Sequence, residues 1–213
     1  MGATILFDFD GTLSDSVSLG LALVNAYAGE FGYRELDCGL ARKLSAMQLL
    51  RAAAIPLWKL PYLIHFFRRK LAEQAEELQL FPGVGELLAA LRASGFELGI
   101  LTSNSARTVS VFLKKHGIES YFSYIRASVP LFGKTRAIRL AQRQLKPPLI
   151  YVGDELRDVD ACRRTGIPIV SVAWGFNTTD VLRSRNPGFV AETAAEALAL
   201  LKTAAAHCDG GKP

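Results

Sequence analysis

Thr4 to Phe7 is a short, largely apolar run that ends at Asp8, Phe9, Asp10 and Gly11. A run of that length, bounded by carboxylates and a glycine, predicts a buried strand. Nothing comparable follows for some seventy residues. Instead Leu19, Leu21, Leu23, Val24 and Tyr27 begin a helical pattern that recurs over Leu40 to Ala54 and over Pro61 to Leu80. Pro61 suits the first turn of its helix, where a missing N–H costs little.

After Pro82 and Gly83 the period switches back and forth. Helices are predicted at Gly85 to Ser94, Ser105 to His116, Lys134 to Gln144, Asp158 to Thr165 and Ala194 to Ala206. Between them lie strands at Phe96 to Leu101, Tyr124 to Ala127, Leu149 to Val152 and Ile167 to Val172, with a last short strand near Phe189. Strands alternating with helices imply parallel strands joined by right-handed crossovers, so the expected class is α/β, a doubly wound, Rossmann-like parallel sheet. Residues 1–13 and 81–213 would form that core, and residues 14–80 a helical cap inserted after the first strand. Ligands of open α/β sheets bind outside the carboxyl ends of the strands, so an insert there is placed as a lid. Its hinges are expected near Leu13 to Asp15 and Leu80 to Gly83. The tail from His207 to Pro213 is expected to be loose.

Composition narrows the class of partner. The chain has 213 residues, half of them hydrophobic and 21% charged, with a mean hydropathy of +0.20, which excludes a disordered chain. The net charge of +5 is spread out. Arg68, Arg69 and Lys70 make the one tight basic run and read as a solvated helix end, so no nucleic-acid partner is expected, and a small anionic substrate would suit the mildly basic surface. Cys38, Cys162 and Cys208 show neither disulfide nor zinc spacing, and a reducing cytoplasm is expected. No signal peptide is read at the N-terminus. The apolar stretch Ile55 to Phe67 is too short to span a membrane and reads as cap core. No membrane association is expected, and the state is a monomer or homodimer.

The candidate chemistry sits at strand ends. Asp8 and Asp10 would be costly to bury together without a cation. A Mg²⁺ site resolves this, because that ion prefers hard oxygen ligands and leaves room for a phosphate. Gly11 lets the chain turn away at once. Gly153, Asp154 and Asp158 repeat the design at a later strand end; if that strand lies close to the first in the sheet, Asp154 can complete a metal site with Asp8 and Asp10, while Asp158 supports it or caps its helix. Thr102, Ser103 and Asn104 end another strand at a helix start, where free N–H groups favour an oxyanion. Lys134 begins a helix, where a lone positive charge is disfavoured, and is a candidate functional cation. Gly133, Lys134 and Thr135 imitate the end of a nucleotide-binding loop, but Ser128 and Pro130 break that motif.

In order and strand context, the set Asp8-Phe9-Asp10-Gly11-Thr12, Thr102, Lys134 and Gly153-Asp154 with Asp158 resembles the haloacid dehalogenase-like superfamily. Within it the chain looks most like the phosphoglycolate phosphatase and β-phosphoglucomutase branch, and the helical insert looks like that family's type 1 cap. The resemblance implies that Asp8 is the nucleophile forming an aspartyl-phosphate and Asp10 the general acid and base. It implies Mg²⁺ on Asp8, the Asp10 carbonyl and Asp154, with Asp158 in support. Thr102, Ser103, Asn104 and Gly11 would bind phosphate, and Lys134 would bridge phosphate and nucleophile. Lys134 departs from the branch's common Lys-Pro context. The expected activity is hydrolysis of a small phosphorylated metabolite, phosphoglycolate-like or a sugar phosphate. The alternatives are a phosphosugar mutase or a non-catalytic binder using the same pocket. Arg42, Lys43 and Arg51 are candidate cap contacts to substrate or solvated positions.

Overall fold

The computed structural model describes residues 2–130 and 132–210. Six strands, β1 (Thr4–Phe7), β2 (Glu97–Leu101), β3 (Phe122–Arg126), β4 (Leu149–Gly153), β5 (Ile169–Val172) and β6 (Val190–Ala191), form one sheet in the order β3-β2-β1-β4-β5-β6. Every pairing is parallel. Phe7 stands opposite Ile100 on one side and Val152 on the other, so β1, β2 and β4 end side by side. The chain leaves β1 toward β2 in one direction and returns to β4 in the other, which makes the β1/β4 edge the switch point where such sheets bind ligands.

The pleat sends alternate residues of each strand to opposite faces. Ile5 and Phe7 join Ile100, Val152 and Val172 under the helices α6 (Val84–Ala93), α7 (Ala106–Lys115) and α11 (Ala194–Gly210). Leu6, Leu101 and Tyr151 pack on the other face under α8 (Lys134–Gln144) and α9 (Leu156–Thr165). Both faces are covered, as a parallel sheet requires.

Between β1 and α6 the chain forms α1 (Val17–Ala26), α2 (Ala28–Phe31), α3 (Cys38–Ala41), α4 (Ala46–Ala52) and α5 (Leu60–Glu73), with Pro61 in the first turn of α5. A separate cluster of Ala28, Tyr33, Ala53 and Leu63 holds them together, with Tyr27, Phe31, Phe66 and Phe67 in edge-on ring contacts. The two chain crossings into this segment lie together. Asp15 N–H donates to the Gln79 carbonyl (2.9 Å), Phe81 N–H donates to that of Leu13 (3.2 Å), and Ser14 bridges to both Asp10 and Leu80.

Several expectations need correction. The helical stretch 40–54 is two short helices, because Ser45 and Gln48 form a capping box that starts α4 afresh. The helix expected to reach Leu80 ends at Glu73. The strand expected from Ile167 begins after Pro168, at Ile169. An additional helix, α10 (Thr179–Arg183), precedes β6. The tail is not loose over 207–210, where α11 continues just past its own buried residues Ala204 and Ala205; residues 211–213 lie outside the described residues. In the stretch 55–67 Leu63 is buried, but Leu57, Trp58 and Tyr62 are exposed. No helix among the described residues is long and apolar enough to cross a membrane.

Candidate active site

The carboxyl ends of β1, β4 and β5 and the start of α8 converge on one buried cluster. Asp8 is the first residue past β1, and its N–H donates to the Val152 carbonyl at 2.8 Å, which ties it to β4. Its Oδ1 accepts from the Phe9 N–H (2.8 Å) and its Oδ2 from Lys134 Nζ (2.5 Å). Lys134 Nζ also donates to Asp158 Oδ1 and lies 5.5 Å from the centre of the Tyr151 ring. A cation at a helix start opposes the helix dipole; here the two carboxylates offset that. Burial disfavours the charged lysine, yet Asp158 and Asp8 outweigh it and hold the ammonium above the usual lysine range.

Asp158 takes part in capping its helix, as expected, and also pairs with Lys134. Its Oδ2 accepts from the Glu155 N–H at 3.2 Å, closing a capping box at the start of α9, and its Oδ1 meets Lys134. Burial pushes its carboxyl up to about 6 even with Lys134 opposing. Asp154, fully buried at the tip of β4, accepts from the Thr12 hydroxyl (2.9 Å) and from the Phe176 N–H (2.7 Å). Burial pushes it well above the carboxylate range, with Glu155, Asp8 and Asp158 adding to the effect.

Asp8, Asp154 and Asp158 each present a carboxylate oxygen within 4.8 Å of the others. Lys134 contacts only two of the three. An all-oxygen, buried acidic set of this kind fits a hard divalent cation. The Asp10 carboxylate is not part of that cluster. The chain turns at Gly11, whose φ is +73°, and Asp10 Oδ1 instead accepts from the Ser16 hydroxyl (2.7 Å) and Asn104 Nδ2 (2.9 Å). Enclosure pushes the Asp10 carboxyl up, the Ser16 bond opposes, and neighbouring Asp8 pushes it further.

At the tip of β2, Thr102 is buried and its hydroxyl oxygen accepts the Asn104 N–H (3.0 Å). Ser103 is half-buried beside it, and Ser105, not Asn104, caps α7 by accepting the Thr108 N–H (3.0 Å). The Asn104 side chain is engaged on Asp10 and on the Ser105 N–H, so it orients Asp10 rather than standing open. Arg68 is not a solvated helix end: it is half-buried, donates to the Val129 carbonyl (3.1 Å) and feels the charge of Asp10.

The loop after β5 escaped the sequence reading. Phe176 and Asn177 hold the site from below: the Asn177 Oδ1 accepts the Leu156 N–H (2.9 Å), and its Nδ2 donates to the Arg42 carbonyl (3.0 Å). A side chain at Gly175 would overlap the Gly11 carbonyl and the Asp154 carboxylate. The signal was present in Gly175-Phe176-Asn177 at a strand end beside β4. Arg42 is not free for substrate, because its guanidinium donates to the carbonyls of Gly175 (2.8 Å) and Phe176 (3.1 Å). It joins the helical segment to this loop.

The family model described as "Haloacid dehalogenase-like hydrolase" matches residues 5–172. A phosphoglycolate phosphatase of Synechococcus elongatus is 41% identical over 200 residues, covering 91% of this chain and 94% of that protein. The tyrosine-protein kinase PtkA of Mycobacterium tuberculosis is 32% identical over 194 residues, covering 84% of this chain and 64% of that one. Among solved structures, a "predicted phosphatase" from Clostridium acetobutylicum superposes with a TM-score of 0.80 at 22% identity, covering 95% of this chain and 99% of that chain. That last likeness shows the fold.

Proposed function

The chain belongs to the haloacid dehalogenase-like hydrolases and is a phosphoric monoester hydrolase of the phosphoglycolate phosphatase-like kind, and we propose that it cleaves a small phosphate monoester by way of an aspartyl-phosphate on Asp8. The observation that carries this reading is the pairing of two carboxylates in unlike surroundings. Asp8 is held against Lys134, whereas Asp10 is pushed toward its protonated form next to it. Such a division suits a nucleophile and an acid.

In the first half-reaction an Asp8 oxygen attacks phosphorus and the ester P–O bond breaks. Asp10 gives its proton to the departing alkoxide. In the second, water attacks the same phosphorus, Asp10 takes the water's proton, and the Asp8 carboxylate and inorganic phosphate are released. Ser16 and Asn104 position the Asp10 carboxyl. Thr102, Ser103 and the Gly11 turn supply the phosphate cradle, and the Lys134 ammonium faces the oxygens that gain charge. A Mg²⁺ ion on Asp8, Asp154 and the Asp10 carbonyl, with Asp158 in support, would offset the charge between nucleophile and phosphate. Residues 14–80 act as the cap over this site. The free thiols of Cys38 and Cys162 suit a reducing cytoplasm.

The test is phosphate release from p-nitrophenyl phosphate and a panel that includes phosphoglycolate and sugar phosphates, with Mg²⁺ or with chelator. Metal-dependent turnover, lost in Asp8→Asn, is expected. Turnover that survives Asp8→Asn refutes the nucleophile; an isomerised sugar phosphate without free phosphate identifies a mutase instead.

A further inference from the structure

A cavity of about 330 Å³ lies between α1, α4 and α5 and opens on Asp10 and Asp154 of the site. Its walls are aliphatic and aromatic, with Val24, Leu49, Leu50, Ile64 and Phe67 among them. Among the described residues, the polar side chains lining it are Asp10, Ser16, Asp154 and Glu155 at its catalytic end, and no lysine, arginine or histidine lines it. Arg42, the cation of the segment nearest the β5 loop, is already occupied by two carbonyls.

A small ester such as phosphoglycolate presents a second negative charge on its leaving group. Arg68 and Arg157 act on Asp10 from outside the chamber, so a carboxylate seated inside it would lie against apolar wall beside Asp10 and Glu155 with no cation lining its seat, at a cost for burial without a direct partner. An apolar leaving group would instead displace water from an apolar wall. At about 30 Å³ per water-sized group, the chamber holds roughly ten such groups.

From this we infer that the preferred substrate is a phosphate monoester whose alcohol carries an uncharged apolar body of up to about ten heavy atoms, seated between α1, α4 and α5 with its oxygen at Asp10. This rests on the phosphatase reading above and names the substrate class of that same site. Each buried methylene then raises kcat/KM about fourfold.

The experiment is the kcat/KM series from ethyl to hexyl phosphate, whose leaving groups differ little in acidity, with phosphoglycolate and p-nitrophenyl phosphate alongside. Across the four added methylenes a rise of roughly two orders of magnitude is expected, with hexyl phosphate well above phosphoglycolate. The second arm is Gly20→Leu. Gly20 lines the chamber from α1, and an added Cβ meets nothing within 4 Å, so the side chain has open space at its root, takes up chamber volume and favours the helix. It should lower the hexyl-to-ethyl ratio of kcat/KM at least tenfold. A flat series, a preference for phosphoglycolate, or an unchanged ratio in Gly20→Leu, each with p-nitrophenyl phosphate still turned over, overturns the substrate class and leaves the phosphatase reading standing. Failure to release phosphate from any ester overturns both.

Discussion

Lys134→Met removes one charge while keeping the length of the side chain. In the wild type, Lys134 is 5% exposed and its ammonium contacts the buried carboxylates of Asp8 and Asp158. Breaking a buried ion pair from one side costs about 3–5 kcal/mol, because the remaining charge stays buried without a partner. For a chain of this size each kcal/mol shifts the midpoint by about 2–4 °C, so the metal-free variant should melt roughly 6–20 °C lower. The assay is thermal and urea unfolding at pH 8 in chelator, on wild type, Lys134→Met and Lys134→Met/Asp158→Asn. The double variant should recover part of the loss, since it removes a carboxylate that the lysine had neutralised. Excess Mg²⁺ should narrow the gap between Lys134→Met and wild type, because the variant's cluster lacks one positive charge, binds the cation more tightly and so is stabilised more by it. A metal-free loss below about 1 kcal/mol, the range of exposed pairs, or a double variant less stable than Lys134→Met, would refute the view that this lysine balances the acidic cluster.

Asp10→Asn keeps the Ser16 contact but cannot deliver a proton, so kcat for an alkyl phosphate should fall by about 10²–10⁴ with the fold intact; an unchanged rate would show that the proton comes from elsewhere. Gly175→Ala places a methyl against the Gly11 carbonyl and Asp154, and unfolding curves should show a loss of about 1–3 kcal/mol along with reduced metal affinity; wild-type stability would mean that this loop does not buttress Asp154. Arg42→Ala gives up two charge-assisted bonds to the β5 loop, each worth about 1.5–3 kcal/mol at most, and should lower kcat/KM without unfolding the sheet; unaltered kinetics would show that this tie does not hold the site. Metal-free stability should also depend on pH. The Asp158 carboxyl is raised to about 6 in the fold against about 4 in the unfolded chain, so the native state binds more protons between those values and stability falls as pH rises through 6. Asp10 and Asp154 are raised in the same sense. A metal-free stability that climbs from pH 5 to pH 7 would contradict this.

What the sequence made legible followed from local pattern. Thr4 to Phe7 before Asp8, and Leu149 to Val152 before Asp154, are apolar runs that stop at carboxylates, and adjacent parallel strands bring such ends together without further information. Lys134 stood out because its charge opposes the helix it begins. The parts that stayed hidden depend on distant partners. Arg42 reaches carbonyls more than 130 positions away, and nothing near it in the chain marks that use. Arg68 looks like its solvated neighbours until α5 is placed over Val129. The Ser45/Gln48 capping box was readable but overridden by the apolar periodicity around it. The chamber could not be read at all: Val24, Leu50 and Phe67 carry the same helical spacing whether they pack against one another or around a space.

The most direct test of the account is an acid quench of wild-type protein mixed with ³²P-labelled ester and Mg²⁺, followed by peptide mapping. The account predicts transient label on the peptide that contains Asp8, released by hydroxylamine as expected for an acyl phosphate, and absent in Asp8→Asn. Label on another residue, or full turnover with no label on protein at any time, would contradict it.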